Sequence, residues 1–335
     1  MALKKPYLLF IGDVPDMLAA KTAQGVVDWR PDQVVGQMRL EGCNADLGVT
    51  DMNIEEGAAA GAKTFVVGAV NSGGMLKDSW IGYIVDAINA GMDVACGLHV
   101  RLGSIPAIAE AAEKNGAVLH DLRHSDVSFA TGKGTKRKGK RLLAVGTDCS
   151  VGKKYSALCI ERDMKAAGMK AEFCATGQTG KLIAERGVAL DAVVADFISG
   201  AAEWLTPDCD DDMWQVIEGQ GSLFHPAFSG VTLGLLHGSQ PDAFVVCHEP
   251  TRTTMRGVQT PLPTIQQVID MATALGKLTN PDTQCVGICV NTAALSEEDA
   301  REYLAKTGDE HGLPCVDPMR FGSQEIVEEV QKRFS

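Results

Sequence analysis

The sequence predicts an α/β protein with two domains, each built on a parallel sheet. Short apolar runs alternate with segments whose apolar residues recur three and four positions apart, the pattern of strands followed by helices. A glycine-rich loop that ends in lysine follows one apolar run near the middle of the chain. A basic, glycine-rich segment lies just before that run and has no apolar periodicity, which is typical of a connection between domains.

Residues 1–131 are predicted to form an N-terminal domain with a Rossmann-like outline. We expect strands and helices in alternation: strands at Tyr7–Gly12, Thr64–Val70, Met92–Gly97 and Ala117–Asp121, and helices at Met17–Val27, Trp80–Ile88 and Pro106–Lys114. No GxGxxG follows the first strand, so the dinucleotide fingerprint is missing. The loop Asn71–Gly74 follows a strand at the end where open sheets bind ligands. A plain turn and a ligand loop both stay open for it.

Residues 132–140 are predicted to link the two domains. The segment contains four lysines, one arginine and three glycines. Such a composition favours a solvated tether. The alternative is a flexible basic strap that reaches a phosphate-rich ligand bound at the neighbouring loop.

The loop after the apolar run Arg141–Val145 has the features of a phosphate-binding loop. Counted from Gly146, it is one residue longer between glycines than the Walker pattern. Counted from Thr147, it has the right length, with Thr147 in place of the first glycine. Its backbone N–H groups and the start of the next helix would face an anion. The Walker pattern then requires Ser or Thr for Mg²⁺, and this chain has Lys154.

Residues 141–335 are predicted to form a P-loop-type, three-layer α/β/α domain with a mostly parallel sheet. After the loop we expect a helix at Tyr155–Ala167, a strand at Ala171–Ala175 and a glycine-rich turn at Thr176–Gly180. Further on we expect strands at Ala192–Phe197, Gln215–Glu218, Phe244–Cys247 and Val286–Val290, and helices at Ser199–Leu205 and Gln324–Phe334. Glu218 would lie at the end of its strand, where P-loop proteins place an acidic residue, and Asp196 would lie within the strand Ala192–Phe197.

Composition excludes several classes of partner. The formal net charge is −12, so nucleic acid and anionic membrane surfaces would be repelled. The ten cysteines form no CxxC pair, which favours reduced, buried thiols and a cytoplasmic protein, and no metal site is predicted. The apolar runs are shorter than the roughly 18 residues that a membrane span requires.

Two resemblances rest on these motifs. The loop Gly146–Lys153 resembles that of dethiobiotin synthetase, and Ile217–Gly219 and Val290–Thr292 extend the likeness in the same order. The whole chain resembles a bacterial family long described as of unknown function, some members of which are D-glutamate N-acetyltransferases. Five segments carry this second resemblance: Gly146–Tyr155, Ala175–Gly180, Asp196–Leu205, Glu218–Gly238 and His248–Arg252.

The second resemblance implies transfer of an acetyl group from acetyl-CoA to the amine of an acidic amino acid, most plausibly D-glutamate, in D-amino acid catabolism. Lys154 agrees with this reading, because transfer from a thioester requires no Mg²⁺. The candidate bases are Glu218, Asp196 and His225. The candidate substrate ligands are Arg252, Gln178 and Thr179. The candidate phosphate ligands form one continuous run: Gly146, Thr147, Asp148, Cys149, Ser150, Val151, Gly152, Lys153 and Lys154.

The first resemblance implies a different activity, that of a ligase or kinase dependent on ATP and Mg²⁺ and acting on a small carboxylate. Lys153 would then bind the β- and γ-phosphates, while Asp148 and Glu218 would help to hold the metal. A nucleotide-binding regulatory module is a third, non-enzymatic possibility. Related P-loop enzymes often complete their sites across subunits, so a homo-oligomer is expected by analogy.

Overall fold

The computed structural model describes residues 3–70, 74–125, 127–184 and 186–334. By their contacts these residues divide into two units. The first takes the described residues of 1–127 together with those of 178–185, and the second takes the described residues of 128–177 and 186–335. Of the loop Asn71–Gly74, for which a turn and a ligand loop both stay open, residues 71–73 lie outside the described residues.

The first unit is a five-stranded parallel sheet with helices. Its strands are β1 (Tyr7–Gly12), β2 (Val34–Arg39), β3 (Thr64–Val67), β4 (Asp93–Cys96) and β5 (Leu119–Asp121), in the order β2-β1-β3-β4-β5. Its helices are α1 (Lys21–Trp29), α2 (Ile54–Ala59), α3 (Asp78–Asn89), α4 (Pro106–Asn115) and α6 (Gln178–Ile183). Every side chain of β1 is buried, which agrees with its continuous apolar run. The predicted Rossmann-like domain is confirmed.

Strand β2 and helix α2 were not predicted from the sequence. A sequence signal for α2 exists, because Asn53 and Glu56 form a capping box at its start. The helix is only six residues long, too short to show an apolar period.

The second unit is a six-stranded parallel sheet. Its strands are β6 (Lys140–Gly146), β7 (Lys170–Cys174), β8 (Met213–Ile217), β9 (Ala243–His248), β10 (Gln284–Val290) and β11 (Cys315–Val316), in the order β11-β10-β9-β6-β8-β7. Its helices are α5 (Lys153–Ala166), α7 (Ile198–Leu205), α8 (Ser229–Ser239), α9 (Ile265–Gly276), α10 (Glu297–His311) and α11 (Gln324–Phe334).

Helices cover both faces of this second sheet. Alternate residues of β6 point to opposite faces, so Leu143 and Val145 join one apolar cluster while Leu142 and Ala144 join another. Helices α7 to α10 supply buried residues to the first cluster, and α5 and α11 supply them to the second. The predicted three-layer α/β/α domain is therefore confirmed.

Two predicted elements of this half are wrong. The expected strand at Ala192–Phe197 is instead a pair of short 3₁₀ turns, Leu190–Ala192 and Ala195–Phe197. Val194 is 67% exposed, so this apolar run has no buried face that would pair it with the sheet. The expected glycine-rich turn at Thr176–Gly180 becomes helical from Gln178 onward as the start of α6.

The basic segment 132–140 is fastened to the second unit. The backbone N–H groups of Lys133 and Gly134 both donate to Glu203 Oε1 at 2.8 Å, and Arg137 donates to the carbonyls of Thr206 and Gly238 at 2.7 Å. This segment, called the strap below, ends at the amino end of β6, whereas the phosphate loop follows the carboxyl end of that strand. Its hydrogen bonds to α7 and α8 hold it in place, so it is not flexible, and contact with a ligand at the loop stays a prediction.

Across the described ranges, no helix combines the length and the apolar character needed to cross a membrane.

Candidate functional site

The loop of residues 146–154, called the phosphate loop below, lies at the centre of the carboxyl edge of the second sheet. It follows β6, which pairs with β8 on one side and β9 on the other. This is the switch point where open α/β sheets bind their ligands. Glu218 follows β8, His248 ends β9 and Asn291 follows β10, so polar side chains surround the loop.

The backbone of the loop is shaped for an anion. Ser150 has φ 54° and Gly152 has φ 102°, two left-handed positions that turn the chain before α5. No side chain caps the start of α5, and no acidic residue occupies its first turn. The positive end of the helix dipole therefore faces the loop without a protein carboxylate on the helix itself.

Lys153 is buried beneath the loop. Its side chain is adjacent to two glycines, and a Cβ at Gly219 would lie 2.8 Å from Lys153 Cδ and 1.6 Å from the carbonyl oxygen of Ala144. Its Nζ donates to the carbonyl of Asp148 at 2.6 Å, and burial lowers its pKa. In the part of the chain that the structure describes, no carboxylate oxygen lies within ion-pair distance of this Nζ. A buried ammonium is costly without counter-charge, so Lys153 indicates an anionic ligand.

Glu218 is a second buried ionisable residue beside the phosphate loop. It is 5% exposed, and its Oε2 accepts from the backbone N–H groups of Thr176 at 3.0 Å and Gly177 at 3.2 Å. Burial raises its pKa, while the positive charge of Lys154 acts in the opposite direction. Lys154 occupies the sequence position at which a Walker loop has a metal-binding hydroxyl. Its positive charge partly offsets the rise in the pKa of the Glu218 carboxyl group.

Asp148 ties the loop to the segment that follows β9. Its buried Oδ2 accepts from Arg252 Nη1 at 2.6 Å and from the backbone N–H of Arg256 at 2.7 Å. Arg252 also donates to the carbonyls of Cys149 at 2.7 Å and Ser150 at 3.2 Å. Arg252 thus holds the loop in place, and its predicted role as a substrate ligand stays a prediction.

His225 is buried with both ring nitrogens engaged. Nδ1 accepts from the backbone N–H of Ala227 at 3.1 Å, so the ring's proton is on Nε2, which donates to the carbonyl of Arg256 at 3.0 Å. Donor atoms of Asp148, Cys149 and His225 lie within 4.8 Å of one another, close enough for a metal. His225 Nδ1 and Asp148 Oδ2 already accept hydrogen bonds, whereas the buried Asp148 Oδ1 has no partner among the described residues. The guanidinium of Arg252, 2.6 Å from Asp148 Oδ2, would repel a cation there.

Of the remaining predicted residues, Asp196 lies in the second unit, whereas Gln178 and Thr179 lie in the first. Asp196 is exposed on a 3₁₀ turn, and over the described ranges it makes no hydrogen bond or ion pair with the loop. Gln178 and Thr179 belong to the first unit. There Gln178 packs near Gly97, and Thr179 Oγ1 donates to Thr22 Oγ1 at 3.2 Å. Their roles in binding and catalysis remain predictions.

Sequence analysis missed Arg256, whose guanidinium donates to Ser150 Oγ at 2.6 Å. A signal was present, because a second arginine follows Arg252 four residues later in a stretch without apolar periodicity. It could not be interpreted without knowing that this stretch folds against the loop. Ser222, within the segment Glu218–Gly238, also contacts the loop, because its hydroxyl donates to the carbonyl of Thr147 at 3.2 Å.

Comparison with known proteins identifies relatives over the whole chain. A family model described as a domain of unknown function, the DUF1611 P-loop domain, matches residues 128–327, and its Rossmann-like N-terminal companion matches residues 38–125. A Tritonibacter scottomollicae protein named D-glutamate N-acetyltransferase is 53% identical over 97% of this chain and 98% of its own.

A Pseudoalteromonas protein of the same name is 52% identical over 98% of this chain and 99% of its own. A crystal structure of a DUF1611 family protein from Anabaena variabilis superposes with a TM-score of 0.90. It is 29% identical and covers 98% of this chain and 100% of that one.

Proposed function

The chain belongs to the DUF1611 family, and we propose that it transfers an acetyl group from acetyl-CoA to the amine of D-glutamate, in D-amino acid catabolism. The names of its relatives indicate an enzyme, and specifically a transferase of the N-acetyltransferase kind. The acetyl donor and the metabolic role are our proposals. The observation that supports the proposed donor is the buried Lys153, which has a carbonyl partner and no carboxylate partner within the described ranges. The metabolic role follows from the proposed substrate alone.

The donor is proposed from the chemistry of the phosphate loop. Coenzyme A carries a diphosphate, which suits backbone N–H groups at a helix start together with a lysine. An acetyl thioester is already activated, so no γ-phosphate has to be transferred. A loop that binds phosphate without a hydroxyl for Mg²⁺ is sufficient for this purpose.

The ligase or kinase alternative needs Asp148 and Glu218 as metal ligands. In the structure Asp148 Oδ2 is bonded to Arg252 and to a backbone N–H, while Glu218 accepts two backbone N–H groups near the charge of Lys154. Arg252 pairs with one oxygen of Asp148, and the charge of Lys154 acts on Glu218, so each carboxyl group already has a cation nearby. These cations would repel a metal ion, and this favours the acetyltransferase proposal over the alternative.

The reaction requires a neutral amine on the acceptor. A base takes a proton from the ammonium group, and the amine nitrogen then attacks the thioester carbonyl carbon. The C–N bond forms and the C–S bond breaks. The attacking nitrogen gives up its second proton to the departing coenzyme A thiolate, and the base releases the first proton to solvent. Glu218 is our choice of base, because burial raises the pKa of its carboxyl group toward the working pH. His225 has both ring nitrogens engaged, and Asp196 is exposed away from the loop.

We expect purified protein to release free coenzyme A thiol and form N-acetyl-D-glutamate from acetyl-CoA and D-glutamate, with neither ATP nor added metal. Thiol release would be followed with a thiol reagent against an enzyme-only blank, since the chain has ten cysteines of its own. The acetylated product would be identified by mass spectrometry. If the protein gave no thiol release and instead cleaved ATP once Mg²⁺ and a carboxylate were supplied, the proposal would be wrong.

Calorimetry with coenzyme A tests the role of the phosphate loop. Lys153→Ala removes the buried cation and should weaken coenzyme A binding about 100-fold or more, the effect of losing a charge-assisted contact in a buried site. Lys165→Ala is the matched control, because that lysine lies on the same helix with its side chain 56% exposed in an ion pair with Glu161. Equal affinity of the two variants in calorimetry would remove the loop from coenzyme A binding.

A further inference from the structure

Four basic side chains lie in or beside the phosphate loop, and they differ in whether a carboxyl group lies close to them: Lys153, Lys154, Arg252 and Arg256. Arg252 is paired with Asp148 at 2.6 Å and lies 3.6 Å from Glu249. The charge of Lys154 acts on Glu218. Lys153 and Arg256 remain, and within the described residues neither has a carboxylate oxygen within 4.0 Å. One ligand-sized region therefore presents two cations that the protein does not neutralise.

Arg256 is anchored by its backbone and not by its guanidinium. Its N–H donates to Asp148 Oδ2 at 2.7 Å, and its carbonyl accepts from His225 Nε2 at 3.0 Å. The side chain is exposed and donates from Nη1 to the neutral hydroxyl of Ser150 at 2.6 Å. A phosphate oxygen is a stronger partner for a guanidinium than a hydroxyl, and it can accept two parallel bonds.

The segment around Arg256 is ordered into a small antiparallel turn. Met255 is buried, its N–H donates to the carbonyl of Thr260 at 2.8 Å, and the N–H of Leu262 donates to the carbonyl of Thr253 at 3.1 Å. Thr254 and Pro261 form an antiparallel bridge across this turn. The guanidinium therefore extends from a fixed base at the tip of the loop, which lowers the entropy cost of engaging a ligand.

We infer that Arg256 is a specificity-determining residue that binds the phosphate on the ribose of coenzyme A. This inference rests on the proposed function. The diphosphate of the donor takes the loop amides and Lys153, which leaves the guanidinium of Arg256 to bind a second anionic group. Coenzyme A carries such a group as its 3′-phosphate, and ATP has no phosphate on its ribose. Arg256 thus distinguishes the acetyl carrier from the adenine nucleotides that share its diphosphate.

The test compares coenzyme A with 3′-dephospho-coenzyme A by calorimetry on the full chain. The native protein should bind coenzyme A about 10-fold more tightly, as one exposed charge-assisted contact predicts. Arg256→Gln should bind the two ligands equally, with its affinity for the dephospho form unchanged. The substitution leaves the backbone contacts of residue 256 to Asp148 and His225 in place, so the fold should persist.

Arg301→Gln is the matched control. It removes one positive charge from α10 of the same unit, where Arg301 is 61% exposed and paired with Glu297. This variant should keep the 10-fold preference. The inference would be overturned if Arg256→Gln kept the preference for coenzyme A over the dephospho form, or if the native protein showed no such preference. In either case, binding of coenzyme A would still support the proposed donor. Failure of the native protein to bind either ligand would overturn both.

Discussion

Lys153 and Glu218 are buried ionisable residues whose pKa values shift in opposite directions for the same reason. Burial disfavours the charged form of each, so the pKa of Lys153 falls and that of Glu218 rises. An anion bound at the loop would stabilise the ammonium form of Lys153. A carboxyl group with a raised pKa is suited to accept a proton near neutral pH.

Glu218→Gln tests this assignment. The amide oxygen can still accept the N–H groups of Thr176 and Gly177, so the loop should keep its shape and its affinity for coenzyme A. Loss of the base should lower kcat about 100- to 10,000-fold. In the native enzyme, kcat should fall as the pH drops below the raised pKa of Glu218. An unchanged kcat would place the base elsewhere.

The pantetheine arm of coenzyme A separates the diphosphate from the thioester. A base beside the phosphate loop therefore requires that arm to fold back toward the loop.

The same variant carries a stability signature. Because the folded pKa of Glu218 is raised, its contribution to stability is fully present below the usual carboxyl pKa of about 4.3 and is lost as pH rises through the folded value. Glutamine does not titrate. Urea unfolding should therefore show native stability falling relative to Glu218→Gln as the pH is raised across that window.

Among the elements, the strap and helices α7 and α8 are packed through glycines. A Cβ at Gly200 would lie 1.7 Å from the carbonyl oxygen of Ala130, and one at Gly238 would lie 2.2 Å from that of Ser199. The carbonyl of Gly238 also accepts from Arg137 in the strap. Within the strap itself, a Cβ at Gly132 would lie 2.8 Å from Ser199 Cβ, and Arg137 donates to carbonyl groups of the second unit. The strap is therefore packed against this unit and is not a loose tether.

Gly238→Ala should destabilise the protein by about 1–3 kcal/mol, because the added methyl meets backbone that cannot move aside. Gly230→Ala on the same helix is the control, since its Cβ would meet nothing within 4 Å. That change should be neutral or stabilising by up to about 1 kcal/mol, as alanine is the better helix former. Urea denaturation of both variants measures the difference, and equal stabilities would contradict the close packing of α7 and α8.

In the whole molecule, helix α6 is notable because the chain leaves the second unit to contribute it to the first. Leu182 is 2% exposed and joins the apolar cluster of the first unit, although the residues before and after this excursion belong to the second. The boundary between the units is therefore not a single point in the sequence.

Leu182→Ala should lower the free energy of unfolding by about 2–5 kcal/mol, the usual cost of a cavity at a buried leucine. The effect should appear as faster hydrogen exchange in β1 and α1, with β6 and α5 less affected. Leu278→Ala is the control, because Leu278 is 71% exposed and its loss should change stability by no more than about 0.5 kcal/mol. Faster exchange confined to β6 would contradict the assignment of α6 to the first unit.

Local patterns in the sequence determined much of the fold. The strand Tyr7–Gly12, the helix Gln324–Phe334 and the loop before Lys153 could be recognised because apolar runs, helical periods and glycine-lysine spacing are properties of neighbouring residues. The strand predicted at Ala192–Phe197 shows the limit of such patterns, because an apolar run becomes a strand only where the sheet offers it a buried face.

The tertiary structure alone decided which charges meet. Arg256 reaches Ser150 across 106 positions, Arg252 reaches Asp148 across 104, and Glu218 accepts from Thr176 across 42. These contacts depend on the order of the strands and on where each connecting segment returns to the sheet, which no local pattern encodes. By itself, the sequence determined that the chain carries a phosphate loop with a second lysine. Only the fold decided which cations the protein neutralises and which are left for a ligand.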